Sequence, residues 1–142
     1  IKDCNELAET YTHLICTGWQ SRSYGPDDIQ KVEDWLTDLV TVLGMKILIS
    51  PKMVYCNTLG NEGITGIVCV DMSHVAIHHW AEDRIGNPPF FRLDIFSCRL
   101  FDLDTVLQYI QELDVVSIDW SLIDRTFDDS PEITSGRKEY NG

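Results

Sequence analysis

The chain has 142 residues, 44% of them apolar and 10% aromatic, which is enough to build one hydrophobic core and fits a single domain of roughly 100–200 residues. Its 23 acidic and 11 basic side chains leave a net charge of −12, a surface that repels phosphate backbones and anionic membranes and so argues against nucleic-acid binding. No apolar run approaches the roughly 20 residues that span a bilayer. No basic segment followed by an apolar stretch precedes the first strand, so a cytoplasmic location is expected. The five cysteines, Cys4, Cys16, Cys56, Cys69 and Cys98, show no CxxC spacing and read as reduced thiols, not as a disulfide framework or zinc knuckle.

In chain order, β-branched and apolar residues from Tyr11 to Trp19 predict a first strand. Gly25-Pro26-Asp27-Asp28 opens a helix, with proline early and acids where the helix dipole favours them. Ile29, Val32, Leu36, Leu39, Val40 and Leu43 recur at helical spacing, and Gly44 is placed to end the helix. Met45 to Tyr55 predicts a second strand, bent near Ser50-Pro51 and confined by its proline to an edge. A turn at Gly60–Gly63 leads to strands over Ile64–Val70 and His74–Trp80, joined by a tight connection at Asp71-Met72-Ser73. Asp83–Pro89 is loop by composition, and Phe90–Cys98 is a further strand.

A second helix is expected from about Leu103 to Leu113, with Asp102 or Asp104 near its N-cap, followed by a last strand from Val115 to Ile123. The polar remainder, about 124–142, reads as a loosely held tail. Two helices, each with one apolar stripe, must cover the same face of a largely antiparallel sheet. The expected fold is therefore α+β, a single two-layer α/β sandwich over residues 1–142. The uncovered sheet face invites a homodimer, sheet against sheet or edge against edge.

Taken singly, the reactive side chains say little. Ser73 is an ordinary turn residue, and Cys69 and Cys98 read as small core hydrophobes. Side-chain alternation puts His74, Ala76 and His78 on one face of their strand and Val75, Ile77 and His79 on the other. His74 and His78 share a face, but no third ligand stands at a suitable spacing, so no metal site is expected.

The combination is more specific. Gly63-Ile64-Thr65-Gly66-Ile67-Val68, then Ser73-His74, then His78, Trp80 and Glu82, then Asp94-Ile95-Phe96-Ser97-Cys98 together resemble the short, prokaryotic-type S-adenosylmethionine decarboxylases, pyruvoyl-dependent enzymes. The motifs cover about Thr58 to Cys98, and the element order carries the resemblance over nearly the whole chain. The family's fold, a dimerising two-layer α/β sandwich, agrees with the elements read above.

The resemblance implies that the hydroxyl of Ser73 attacks the carbonyl of Met72 and that the chain divides at Met72-Ser73, leaving a pyruvoyl group made from Ser73. Thr65 matches the hydroxyl that assists processing, and His78 matches the base that removes the α-proton of the ester. The pyruvoyl carbonyl then condenses with a substrate amine and serves as electron sink. Cys98 matches the donor that protonates the product carbon. Glu82 matches the residue holding the ribose hydroxyls, and Tyr55 and Leu59 are what the chain offers near the expected adenine-stacking aromatic.

The product would be the aminopropyl donor of polyamine (spermidine) synthesis. The chain departs from the pattern at Met72, where glutamate is usual. His79 and Ala81 stand in place of threonine and proline, Arg99 in place of glycine, and the loop from Asp83 to Phe91 is longer. These departures leave open the same chemistry on arginine or ornithine, and an uncleaved homologue serving as a binding or regulatory subunit.

Overall fold

The computed structural model describes residues 10–82, 86–126 and 129–140. Seven strands form one antiparallel sheet: β1 (Thr12–Gln20), β2 (Ile47–Cys56), β3 (Gly63–Val70), β4 (Ser73–Trp80), β5 (Phe90–Ser97), β6 (Val115–Asp124) and β7 (Glu132–Glu139). Their order across the sheet is β2-β3-β4-β5-β1-β6-β7, so β1 is inserted between β5 and β6. Helix α1 (Ile29–Val42) follows β1, and α2 (Leu103–Ile110) follows β5.

The alternation read in the sequence sets the two faces. Leu14 and Cys16 of β1, Ile64 and Val68 of β3, Val75 and Ile77 of β4, and Phe91, Leu93 and Ile95 of β5 are all buried. They form one core with Val32, Leu36, Leu39 and Val40 of α1 and Val106 and Ile110 of α2. Both helices therefore cover one face, as a two-layer α+β sandwich requires. On the other face Ile15 and Ile67 each stay 41% exposed.

The helix ends follow the local chemistry. Pro26–Asp28 forms a single 3₁₀ turn ahead of α1, in which the carboxylate of Asp28 accepts from the Gly25 N–H at 2.9 Å and from the guanidinium of Arg22 at 3.0 Å. Gly44 ends α1 with φ +72°, a conformation glycine adopts without strain. Asp102 caps α2 by accepting from the Asp104 N–H. The α-helical part of the second helix stops at Ile110, three residues short of the expected end. A 3₁₀ turn over Gln111–Leu113 and a left-handed Asp114 then redirect the chain into β6.

Two further expectations bear on the sheet. Pro51 does lie in an edge strand, and the β2–β3 register shifts between Ile49 and Lys52, the interval in which the proline lacks an N–H for the ladder. The tail after Asp124 is not loose over its full length, because Glu132–Glu139 pairs with β6 from Asp124↔Glu132 to Ser117↔Glu139. Backbone bonding and a few anchors stabilise this strand rather than an apolar face. The Tyr140 hydroxyl donates to the Leu107 carbonyl at 2.6 Å, and Gly136 leaves room for the Trp120 ring, which any Cβ there would overlap.

Candidate active site

The register Val70↔Ser73 closes the β3–β4 hairpin with only Asp71 and Met72 in the turn. Met72 has φ +57°, in the left-handed region that costs a residue with a Cβ about 1–2 kcal/mol. The strained residue thus owns the carbonyl that precedes Ser73. Strain of this kind persists where surrounding structure enforces it, and here the flanking ladder does so.

Cys98, immediately after β5, comes against the hairpin from the neighbouring strand. Its N–H donates to the Ser73 hydroxyl oxygen at 3.1 Å, and its thiol, 9% exposed, points weakly at the Asp71 carbonyl at 3.8 Å. Ser97 fixes this corner, since its Oγ accepts from the Arg99 N–H at 3.1 Å and donates to the Arg99 carbonyl at 2.8 Å. Ser73, the Met72 carbonyl that precedes it and Cys98 are therefore neighbours at this hairpin, joined through the Cys98 N–H, although Ser73 and Cys98 are far apart in sequence.

Thr65 and His78 form a second pair elsewhere on the sheet. They face each other across β3 and β4, with Thr65 Oγ1 3.1 Å from His78 Nδ1. Five residues separate His78 from Ser73 along β4, about 16 Å at the rise of a strand. Five is also an odd number, so alternation puts Ser73 on the side of Val75 and Ile77 and His78 on the open face. The four residues expected to act together are thus brought into two pairs, not one cluster.

The remaining histidines have other surroundings. His74 Nε2 lies 3.4 Å from Asp94 Oδ1, which also lies 2.8 Å from His13 Nε2. His74 and His78 therefore engage different partners and do not converge, and among the described residues no group of three histidine, cysteine or acidic side chains is placed to hold a metal. His79 faces the core, 4% exposed, between the rings of Tyr24 and Phe91, and donates from Nδ1 to the Gln20 side-chain carbonyl at 3.3 Å. Burial drives its pKa down from 6.5 to about 3, so the ring is neutral.

The substrate-binding expectations separate as well. Glu82 leaves the end of β4 exposed, with its N–H held by the Ser23 hydroxyl at 2.7 Å. Just before it, the Ala81 N–H donates to the Glu62 carbonyl at 2.9 Å. Gly63 is needed at this crossing, because a methyl group there would overlap the His79 carbonyl. Tyr55 packs against the core under the helices, whereas Leu59 is 69% exposed in the connection between β2 and β3.

Sequence reasoning missed an aromatic corner beside Glu82. Trp80 and Phe90 pair across β4 and β5 and stack with centroids 4.8 Å apart and planes 9° from parallel, and Trp19 pairs with Phe90 across β1 and β5. With Gly60, Ala81 and Pro88 they line a cleft of about 260 Å³. The signal was available only as three aromatics at strand ends, and joining them required the strand order.

A two-layer α+β sandwich with a serine, a strained preceding carbonyl and a thiol gathered at one hairpin defines the class of protein to which the chain can be compared. The family model for S-adenosylmethionine decarboxylase matches residues 12–125, and the chain belongs to that family. Among relatives, it is 28% identical over 86 residues to a protein of Methanococcus maripaludis named S-adenosylmethionine decarboxylase proenzyme. That match covers 61% of this chain and 63% of the relative. A protein of the same name from Syntrophomonas wolfei is 31% identical over 86 residues, covering 61% of each chain. One from Methanococcus aeolicus is 29% identical over 86 residues, covering 61% of this chain and 66% of the relative. The alignments thus span a little under two thirds of most of these relatives.

Proposed function

We propose that this chain is a self-processing decarboxylase that acts on S-adenosylmethionine and supplies the aminopropyl donor for polyamine synthesis. The observation that carries the reading is the left-handed Met72 joined to Ser73, with Cys98 against the serine hydroxyl. The Ser73 oxygen attacks the Met72 carbonyl carbon, and collapse of that adduct breaks the peptide C–N bond to leave an ester and a free amine on residue 73. Removal of the α-proton of residue 73 by His78 expels residues 1–72 as a carboxylate. Hydrolysis of the resulting enamine releases ammonia and leaves a pyruvoyl group at residue 73.

The residues at the hairpin suit that group, since it would form in place from Ser73 beside Cys98, whose N–H already reaches the Ser73 oxygen. When formed, it supplies an electrophilic carbonyl and an electron sink for loss of carbon dioxide. Cys98 delivers the proton to the product carbon, and the Glu82 carboxylate accepts from ribose hydroxyls. Thr65 holds the His78 ring through Nδ1, leaving Nε2 free to take the α-proton.

The two-pair arrangement supports a homodimer as the working unit. His78 cannot reach across about 16 Å to its own Ser73. A second copy whose open face overhangs the β3–β4 hairpin end, where Met72 is 44% exposed, brings its Thr65 and His78 to the first chain's Ser73 and Cys98. The exposed Ile15 and Ile67 on that face favour such burial. Cys16, Cys56, Cys69 and Cys98 are free thiols, which accords with a reducing, cytoplasmic setting, and no helix among the described residues is long and apolar enough to cross a membrane.

Co-expression tests both parts. Ser73→Ala and His78→Ala chains, each made alone, should remain at 16.2 kDa on a denaturing gel. When they are made together, the His78→Ala chain should divide at residue 73, because the Ser73→Ala partner lends its histidine. Division of Ser73→Ala protein alone would overturn the processing reading, and no division in the mixture would overturn the shared site. Release of carbon dioxide from S-adenosylmethionine, assayed against arginine and ornithine, identifies the substrate.

A further inference from the structure

We infer that Ser23 is a positioning residue for Glu82, fixing where that carboxylate leaves the sheet, an inference that rests on the proposed reading of Glu82 as the group that accepts from ribose hydroxyls. β4 ends at Trp80, so Glu82 lies beyond the ladder that orders the strand. Its N–H donates instead to the Ser23 hydroxyl at 2.7 Å, a bond that spans 59 residues of sequence. The N–H before it, on Ala81, donates to the Glu62 carbonyl at 2.9 Å, and the Glu62 carboxylate accepts from the Gly60 N–H at 3.1 Å. Two consecutive amides are thus held from two connections, β2 to β3 on one side and β1 to α1 on the other. Together they set the direction in which residue 82 leaves the sheet.

The connection that carries Ser23 is a firm support. The Ser21 N–H donates to the Asp114 carbonyl at 2.8 Å, and the Tyr24 hydroxyl donates to the Asp114 carboxylate at 2.7 Å. That carboxylate also lies 3.3 Å from Arg22 Nε and 3.4 Å from Lys31 Nζ, and Arg22 Nη2 lies 3.0 Å from Asp28 Oδ1. Tyr24 is buried, its ring 5.0 Å from that of His79 on the core face of β4. The residues on either side of Ser23 are therefore anchored, while Ser23 and Glu82 are both exposed. An alanine at position 23 leaves no buried group unpaired, so its effect falls on the placement of residue 82 and not on the fold. A carboxylate that accepts from two neighbouring hydroxyls needs its position set closely, since a displacement of about 1 Å weakens both bonds at once.

Calorimetric titration of the purified protein with adenosine, and with a dideoxy analogue that lacks both hydroxyls of the ribose ring, tests the assignment. Ser23→Ala should bind adenosine about tenfold more weakly and the dideoxy analogue as the unaltered protein does, and Ser23→Thr, which keeps the hydroxyl, should bind both normally. In a Glu82→Gln background Ser23→Ala should bring no further loss, because the carboxylate it serves is already gone. Thermal midpoints close to the unaltered protein show that the variants fold. Unchanged adenosine binding in Ser23→Ala, an equal loss for both ligands, or a full further loss in the Glu82→Gln background overturns the positioning role. If the expected pattern is found while no carbon dioxide is released from S-adenosylmethionine, the positioning role stands and the proposed activity falls. Carbon dioxide release with the same KM in the unaltered and Ser23→Ala proteins overturns the positioning role and leaves the activity standing.

Discussion

Buried His79 makes the folded state sensitive to acid in a calculable way. Its pKa of about 3 in the fold, against 6.5 in water, comes first from burial; Asp28 opposes the shift, and the neighbouring His78 adds to it by a smaller amount. The folded state therefore refuses a proton that the unfolded chain accepts. The stability from this residue is fully present above pH 6.5 and is lost progressively as pH falls through the window from 6.5 to about 3. Each unit inside that window removes about 1.4 kcal/mol, so pH 5.0 costs about 2 kcal/mol relative to pH 7.5.

Urea unfolding at pH 7.5 and pH 5.0, on the unaltered protein and on His79→Gln, measures the term. The glutamine replaces a titrating ring by a neutral amide of similar reach, so the comparison is between pH slopes and not between absolute stabilities. The unaltered protein should lose about 2 kcal/mol more than the variant on acidification. Equal losses in the two proteins would refute the reasoning, because the acid sensitivity would then belong to groups outside this pocket.

Other substitutions probe the hairpin and its supports. Met72→Gly removes the left-handed strain from the carbonyl proposed to be attacked, and a loss of about 1 kcal/mol of that strain should slow chain division about fivefold in a gel time course; equal or faster division would dissociate strain from processing. Cys98→Ala keeps its backbone N–H on Ser73, so the chain should still divide while carbon dioxide release per pyruvoyl group falls by about 10²-fold, and unchanged turnover would remove the thiol from the proposed proton transfer. Gly63→Ala places a methyl group on the His79 carbonyl and should destabilise the fold by about 1–3 kcal/mol in urea unfolding; an unaffected midpoint would contradict the close packing of β3 on β4.

How much was legible before the structure depended on whether periodicity or register carried the information. Alternation in β3, β4 and β5, with the apolar stripe of α1, marked the layers, because burial imposes those periods directly on sequence. Strand β7 escaped notice for the opposite reason: Glu132 to Glu139 is exposed on most positions, interrupted by Gly136, and stabilised through backbone bonds that leave no apolar pattern. Motif resemblance singles out Ser73, His78, Cys98 and Thr65, and the odd spacing from Ser73 to His78 already implies opposite faces, whereas the pairing of Cys98 with Ser73 depends on which strands are neighbours. The Trp19, Phe90 and Trp80 corner depends on β1, β4 and β5 being neighbours, and a single sequence does not encode neighbour identity in any local pattern.

The departures from the family pattern fall where they leave the proposed reacting groups intact. Met72 contributes a carbonyl and a backbone angle, and its side chain stands exposed. His79 points into the core on the far side of the sheet from His78, so its exchange for threonine alters packing and acid stability and leaves the open face unchanged. Ala81 has an N–H that donates to Glu62, a bond a proline at that position could not make, and it anchors the strand end that carries Glu82. Arg99 has a negative φ and bonds through its backbone to Ser97, so the turn holding Cys98 has no need of glycine. The substitutions therefore touch the scaffold around Ser73, Cys98, His78 and Glu82 and leave those four side chains themselves unchanged.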